Sequence, residues 1–125
     1  MEERPTLYEQ LGDQRLLQML NTFYTQVFES KILGPLFNHT QKDVILDKQF
    51  CFLTQFLGGP PRYNEKYGTP KMRMRHMAHK IDMTARDEWL RIMKSSIDSL
   101  DWDPNLKEAL YNCFPQVANH MVNTV

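Results

Sequence analysis

The stretch LLQMLNTFYTQVF, residues 16–28, decides the fold class of this 125-residue chain. Its apolar side chains recur at the spacing that places them on one face of an α-helix. That face comprises Leu16, Leu17, Leu20, Phe23, Tyr24, Val27 and Phe28. Gly12-Asp13 precedes the pattern as a capping signal. The stretch therefore predicts a long amphipathic helix with a wide buried face.

The residues that follow predict a second helix and a firm stop. Thr40 with Asp43 forms a capping-box pattern, and the apolar positions behind it repeat with helical period as far as Phe56. Gly58-Gly59-Pro60-Pro61 ends the pattern, because glycine and proline terminate helices. Residues 60–70 are expected to form a loop.

Two more helices are predicted in the second half of the chain. Thr84 with Asp87 forms another capping-box pattern, and Asp103-Pro104 is a typical start for the last helix. Pro115 lies inside the last pattern and should kink it, because proline lacks a backbone N–H and crowds the preceding turn. No strand pattern competes, so we expect one all-α domain over residues 1–125 with four main helices.

Composition argues against several classes of function. Fifteen basic side chains balance fifteen acidic ones, so nonspecific electrostatic binding to nucleic acid or to an anionic membrane is not expected. The sequence contains no run of about 18 apolar residues and no apolar signal segment, which predicts a cytoplasmic protein without a membrane partner. Eight methionines and seven phenylalanines suit either an adaptable core or a pocket around a large flat ligand.

Three polar residues interrupt the apolar stripes, namely Tyr24, Gln49 and Trp89. Each brings a hydrogen-bond donor to a helix face that should exclude water. Tyrosine and tryptophan are common at core edges with their polar tips satisfied, which is a sufficient explanation for Tyr24 or Trp89 taken alone. A buried amide without a partner costs about 1–3 kcal/mol, so Gln49 is expected to face a partner.

The segment KMRMRHMAHK, residues 71–80, concentrates basic side chains in a neutral chain. A zinc site could use His76 and His79, but structural zinc sites need four ligands and no other ligands with recognisable spacing complete the set. A nucleic-acid strip would be short and offset by acidic helices. A haem iron needs only one histidine, with an apolar slot and a polar rim for the propionates. The rim candidates are Arg73, Arg75, Lys48 and Tyr63.

Several motifs resemble those of the truncated haemoglobins, most closely group II, which are short bacterial globins. The motifs are TLYEQLG near the start, FY at 23–24, KQF at 48–50, FLTQFLGGPPRY at 52–63, RMRH at 73–76, ARDEWL at 85–90 and ANHMVN near the end. FLTQFLGGP, RxRH and RDxWL at the observed spacings form a highly specific combination. The resemblance covers nearly the whole chain and implies a two-over-two helical sandwich around haem.

The resemblance also implies roles for individual residues. His76 corresponds to the proximal iron ligand of haem b, and Tyr24, Gln49 and Trp89 correspond to distal residues that hydrogen-bond an iron-bound ligand. The residues implied to contact the haem or its propionates are Phe37, Ile45, Lys48, Tyr63 and Arg75. His79 departs from the family, which often has an aromatic residue at that position.

The function implied by the resemblance is reversible binding of dioxygen, and of nitric oxide or carbon monoxide, at the histidine-ligated iron. The alternative is a haem redox enzyme, either a nitric oxide dioxygenase or a peroxidase-like protein. Such an enzyme would depend on an external reductase, because the sequence contains no reductase domain or flavin motif. A ligand sensor would need an output domain or a partner. A monomer or a homodimer is expected, without a nucleic-acid partner.

Overall fold

The computed structural model of the chain describes residues 5–37, 40–68 and 81–121. The helices in these ranges are α1 (Leu7–Glu29), a 3-10 helix (Gly34–Phe37), α2 (Lys42–Phe56), α3 (Arg62–Tyr67), α4 (Met83–Asp98), α5 (Pro104–Tyr111) and α6 (Phe114–Met121). The described ranges contain no strand, which confirms the all-α prediction. Among these helices, none combines the length and the apolar content that a membrane-crossing helix needs.

Helix α1 is the centre of the fold, because it packs against α2, α4, α5 and the 3-10 helix. Its buried residues are Leu11, Leu16, Met19, Leu20, Phe23, Tyr24 and Val27. The predicted face is correct except at two positions, since Leu17 is 40% exposed and Phe28 is only half-buried. Met19 is fully buried beside Leu16 and Leu20, as the helical spacing of three and four residues allows.

Helix α1 begins earlier than the apolar pattern indicates. Thr6 and Glu9 form a capping box, in which the Glu9 N–H donates to Thr6 Oγ1 at 3.1 Å and the Thr6 N–H donates to Glu9 Oε1 at 3.2 Å. Gly12 then interrupts the helix with a φ of 79°, a left-handed value that glycine adopts without a steric penalty. The predicted helix start at Gly12-Asp13 is therefore a kink between a first turn and the main part of α1.

The first turn of α1 packs on the turn that joins α2 to α3. The Tyr8 N–H donates to the Leu57 carbonyl at 3.1 Å, and a Cβ added to Gly59 would lie 2.5 Å from Tyr8 Cδ2. The Tyr8 hydroxyl donates to Asp13 Oδ1 at 2.6 Å, and the same oxygen accepts from Arg62 Nη1 at 3.0 Å. We call Tyr8, Asp13 and Arg62 the N-terminal clasp, because they tie the start of α1 to α3.

The structure confirms the predicted end of α2 but not its predicted cap. The capping box of Thr40 and Asp43 is wrong, because α2 begins at Lys42 behind Gln41 and no side chain caps it. Thr40 instead belongs to the turn after the 3-10 helix, since its N–H donates to the last carbonyl of that helix at 3.0 Å. The end of α2 just before Gly58, which has a φ of 96°, confirms the predicted stop.

Residues 60–70 contain helix α3, so the predicted loop is wrong in this part. The N-terminus of α3 is satisfied by a side chain from α2, because the Asn64 N–H donates to Gln55 Oε1 at 3.1 Å. Gln55 Nε2 donates back to Asn64 Oδ1 at 3.2 Å. A cap supplied from another helix leaves no local capping signal in the sequence ahead of α3.

The pattern of the last helix splits into α5 and α6 directly ahead of Pro115, which confirms the predicted interruption. Asp103 caps α5 through its side chain, which accepts from the Asn105 N–H at 3.4 Å, and Pro104 is the first helical residue. Pro115 is the second residue of α6, where a missing N–H removes no intrahelical hydrogen bond.

Helix α4 begins behind Asp82, whose Oδ1 accepts from the Ala85 N–H at 2.9 Å. The predicted capping box of Thr84 and Asp87 is therefore wrong. Thr84 lies in the first turn and is exposed, and Asp87 Oδ1 accepts from the neighbouring Arg86. The cap of α4 lies two residues ahead of the position that the sequence pattern favours.

The cap of α4 predicts a loss of stability in Asp82→Ala. Removal of the acceptor should lower the free energy of unfolding by about 0.5–2 kcal/mol, and Asp82→Asn, which retains an acceptor, should cost less. Urea denaturation followed by circular dichroism measures the difference. Thr84→Ala is the matched control, and an equal loss in that variant would contradict the assignment of the cap.

The N-terminal clasp predicts a contribution to stability that depends on pH. Arg62, and then Tyr8, lower the pKa of Asp13 by hydrogen bonding to its carboxylate. The clasp therefore stabilises the fold above the ordinary aspartate pKa of about 3.9, and this contribution disappears as pH falls through the lower folded-state pKa.

The expected size of this contribution is small, because the Arg62 and Asp13 side chains are 31% and 46% exposed. Asp13→Asn should lower the free energy of unfolding near neutral pH by at most about 1 kcal/mol. The difference in the free energy of unfolding between Asp13→Asn and wild type should disappear in urea titrations at about pH 2, where the carboxylate is protonated. A difference that stays constant on acidification would show that the clasp is not the cause.

Candidate functional site

A connected set of aromatic rings occupies the interface of α1, α4, α6 and the 3-10 helix. Phe23 lies at its centre with 1% of its surface exposed. Its ring lies edge-on to Tyr24 at a centroid distance of 4.9 Å and to Trp89 at 5.2 Å. Tyr24 is edge-on to Phe37 at 6.2 Å, and Trp89 to Phe114 at 5.7 Å. We call these five residues the aromatic cluster, whose edge-to-face geometry is the favoured one for such rings.

Tyr24 contributes a hydroxyl to this cluster, and its side chain is 4% exposed. Within residues 5–37, 40–68 and 81–121, the hydroxyl forms no hydrogen bond. Burial raises the pKa of Tyr24, because apolar surroundings disfavour the phenolate. The group is therefore a neutral hydrogen-bond donor without a partner in the described ranges.

The other two predicted distal donors are less buried than Tyr24. Trp89 is half-buried on α4 and is held between Phe23 and Phe114. Gln49 is half-buried on α2 and forms no hydrogen bond within the described part of the chain. Because Gln49 is only half-buried, its amide does not require a protein partner, and the expectation that it faces a partner stays a prediction. Ile45, one turn earlier on α2, packs against the core.

Tyr63 and Lys48 are connected through a residue that the sequence interpretation does not include, Tyr67. Tyr63 is 3% exposed, and its ring lies edge-on to Phe52 at 6.0 Å and 5.3 Å from the ring of Tyr67. Lys48 Nζ lies 5.6 Å from the centre of the Tyr67 ring. The Tyr63 hydroxyl, like that of Tyr24, forms no hydrogen bond among the residues that the structure describes.

The surface side of Tyr67 faces a carboxylate. Its hydroxyl donates to Asp47 Oδ2, and Lys66 Nζ donates to the same oxygen at 2.7 Å. The hydrogen bond from Lys66, and then that from Tyr67, lower the pKa of Asp47. The Asp47 carboxylate in turn raises the pKa of Tyr67. The spacing of four residues between Tyr63 and Tyr67 would have indicated a shared helix face if residues 60–70 had been interpreted as helical.

Four residues of the predicted site lie outside the described residues, and their predicted roles stay predictions. They are Arg73, Arg75, His76 and His79. The predicted proximal ligand, His76, and the predicted propionate contact, Arg75, belong to this set. Within the described ranges, no group of three or more histidine, cysteine, aspartate or glutamate side chains is arranged to hold a metal ion.

Comparisons with known proteins identify the family of this chain. Residues 6–123 match the model of the bacterial-like globins. A group 2 truncated haemoglobin of Bacillus subtilis is 38% identical over 116 residues, which cover 93% of this chain and 87% of that protein. A group 2 truncated haemoglobin of Lotus japonicus is 33% identical over 119 residues, which cover 93% of this chain and 71% of that protein.

Solved structures are similar over nearly the whole chain. An X-ray structure of a truncated oxygen-avid haemoglobin from Bacillus subtilis has a TM-score of 0.89 and 37% identity, and the match covers 95% of this chain and all of that one. The group II truncated haemoglobin of Bacillus anthracis has a TM-score of 0.91 and 32% identity, with 98% and 95% coverage. This chain therefore belongs to the group II truncated haemoglobins, the bacterial-like globins that bind haem within a two-over-two helical sandwich.

Proposed function

We propose that this chain is a single-domain globin that holds haem b through His76 and reversibly binds dioxygen. Nitric oxide and carbon monoxide are further ligands of the same site. The observation that carries the proposal is the Tyr24 hydroxyl, which is a neutral donor on a buried side chain and has no partner among the described residues. The description of a Bacillus subtilis relative as oxygen-avid supports dioxygen as the ligand.

The described residues fit a haem group at two positions. Tyr24 and Tyr63 are the two tyrosines below 5% exposure, and neither hydroxyl has a hydrogen-bond partner within the described ranges. A buried polar group normally has such a partner, so both hydroxyls are suited to a group that the described residues do not supply. Tyr63, with the Lys48 ammonium, offers a donor and a cation for the propionates, while Phe37 offers an apolar surface.

The haem supplies an iron atom at which a diatomic gas binds, and the protein supplies the donors around it. A neutral hydroxyl, an amide and an indole N–H would all favour a diatomic ligand that carries partial negative charge. Tyr24 is held by Phe23 and Phe37, and Trp89 by Phe23 and Phe114. Because packing fixes these two rings, their donors need little reorganisation when the ligand arrives.

Removal of two donors should accelerate dioxygen release. If each hydrogen bond contributes about 1–1.5 kcal/mol, Tyr24→Phe combined with Trp89→Phe should raise the dioxygen dissociation rate by about 30- to 150-fold. Stopped-flow exchange of dioxygen for carbon monoxide measures this rate.

The matched control for the double variant is Tyr111→Phe combined with Trp102→Phe. Tyr111 contacts the Lys94 ammonium at 5.4 Å, and Trp102 packs against the edge of the core, so neither belongs to the aromatic cluster. The control should keep the wild-type dissociation rate. A distal double variant whose rate stays within about twofold of wild type would contradict the role of Tyr24 and Trp89.

The proximal role predicts different outcomes for the two histidines of residues 71–80. His76→Ala should lose the normal ferrous and carbon monoxide spectra of the haem, and added imidazole should restore them, because imidazole can replace the missing ligand. His79→Ala is the control and should keep both spectra. Optical titration with haemin and then dithionite measures the effect. Normal spectra in His76→Ala without imidazole would assign the iron to another ligand.

A further inference from the structure

Tyr67 connects a buried tyrosine to the surface of α3. Its ring lies 5.3 Å from that of Tyr63, and its hydroxyl donates to Asp47. The Asp47 carboxylate also accepts from Lys66 Nζ at 2.7 Å. Tyr67 is half-buried, and the Lys66 and Asp47 side chains are 57% and 40% exposed. The phenol therefore has a buried ring on one side and a solvent-facing proton acceptor on the other.

We propose that Tyr67 is a redox-active tyrosine that passes single electrons from an anionic donor in solution to haem oxidised by hydrogen peroxide. The inference rests on the proposed haem binding, because Tyr63 is the residue through which the electron would reach the haem. Neither Tyr67 nor Asp47 is among the residues predicted to hold the haem or to bind dioxygen. Their geometry is instead suited to the coupled loss of an electron and a proton.

Oxidation of a phenol requires a proton acceptor, because a phenol that has lost one electron is a strong acid. The O–H bond of Tyr67 breaks, its proton moves along the hydrogen bond to Asp47 Oδ2, and its electron passes through Tyr63 to the oxidised haem. The product is a neutral tyrosyl radical beside a protonated Asp47.

A donor in solution then restores the phenol. It gives one electron to Tyr67, Asp47 returns the proton, and the proton that the donor loses is used in the reduction of peroxide to water. Two such cycles reduce one hydrogen peroxide to two waters. The two electrons and two protons come from two donor molecules, each of which loses one electron and one proton.

The charges around Tyr67 favour an anionic donor. The ammonium nitrogens of Lys48 and Lys66 each lie 5.6 Å from the centre of the Tyr67 ring, whereas Asp47 contributes one negative charge. A net positive surface attracts anions from solution, which makes ascorbate a suitable probe. The two ammonium groups also disfavour a positively charged ring, so the proton should leave together with the electron.

The N-terminal clasp provides a matched control within the same chain. Tyr8 donates to Asp13 at 2.6 Å, and Arg62 pairs with that carboxylate, so the phenol, carboxylate and cation are arranged as they are at Tyr67. The aspartate hydrogen bond is the main cause that raises the pKa of both phenols. The Tyr8 ring contacts the Arg62 guanidinium at 5.7 Å and has no aromatic ring pair in the described ranges. The ring contact with Tyr63 is what distinguishes Tyr67.

The test uses haem-loaded full-length protein mixed with hydrogen peroxide in the presence of a nitroso spin trap. Peptide mass spectrometry is expected to find the trap on Tyr67, and Tyr67→Phe should lose that adduct and slow peroxide-dependent ascorbate oxidation severalfold. Asp47→Asn keeps the ring but removes the anionic proton acceptor, so it should lower both readouts. Tyr8→Phe should leave both unchanged.

The haem spectrum of each variant separates failure of this proposal from failure of haem binding. Wild-type protein that takes up no haemin would overturn the proposed function. If the Soret band and the carbon monoxide complex are normal but Tyr67 carries no adduct, the redox role of Tyr67 is wrong. The same conclusion follows if Tyr67→Phe or Asp47→Asn, with normal haem spectra, oxidises ascorbate at the wild-type rate. An effect of Tyr8→Phe equal to that of Tyr67→Phe would also overturn it.

Discussion

The edge-on contacts of Phe23 are the constraint on which the positions of Tyr24 and Trp89 depend. Phe23 is almost fully buried and touches both Tyr24 on its own helix and Trp89 on α4. A smaller side chain at this position would leave a cavity between the two helices, and the rings on either side would lose their common support. The polar chemistry proposed for the pocket thus depends on a residue that has no polar side-chain atom. In this fold, the packing of aromatic rings therefore also determines where the hydrogen-bond donors lie.

The five tyrosines show how surroundings give one residue type different chemistry. Tyr24 and Tyr63 are enclosed by apolar groups and keep hydroxyls without a partner in the described ranges, which suits contact with a bound group. Tyr8 and Tyr67 donate to carboxylates at the surface. Tyr111 lies beside the Lys94 ammonium. Burial and the nearest charged group, rather than the phenol itself, decide what each tyrosine can do.

Much of the fold follows from local patterns, and the failures have a common physical cause. The buried face of α1, the glycine stop after α2 and the start of α5 at Asp103 are predictable, because neighbouring residues determine them. Helix α3 is not, since its cap comes from Gln55 on another helix. The starts of α2 and α4 are displaced because a capping-box pattern specifies residue types but not which backbone N–H each side chain reaches.

The candidate site is predictable where helical spacing identifies a polar residue on an otherwise apolar helix face. Tyr24 and Trp89 meet in one aromatic cluster, as their stripe positions suggest. The spacing did not reveal that Gln49 is only half-buried, because exposure depends on how the neighbouring helices pack. It also did not reveal Tyr67, whose partner Asp47 lies twenty residues away on α2. Contacts of this kind become visible only when tertiary structure brings the helices together.

The hydrogen bond between Tyr8 and Leu57 bears on the order in which the helices are expected to assemble. It joins the first turn of α1 to the end of α2, and the lack of space at Gly59 makes the contact of this turn with the Tyr8 ring close. The contact forms only after the chain between these positions has closed into a loop, which carries an entropic cost. We therefore expect the N-terminal turn to dock after α1 and α2 have paired, when this cost is smaller. We expect its release to be an early step in unfolding, because segments near chain ends open at low free-energy cost.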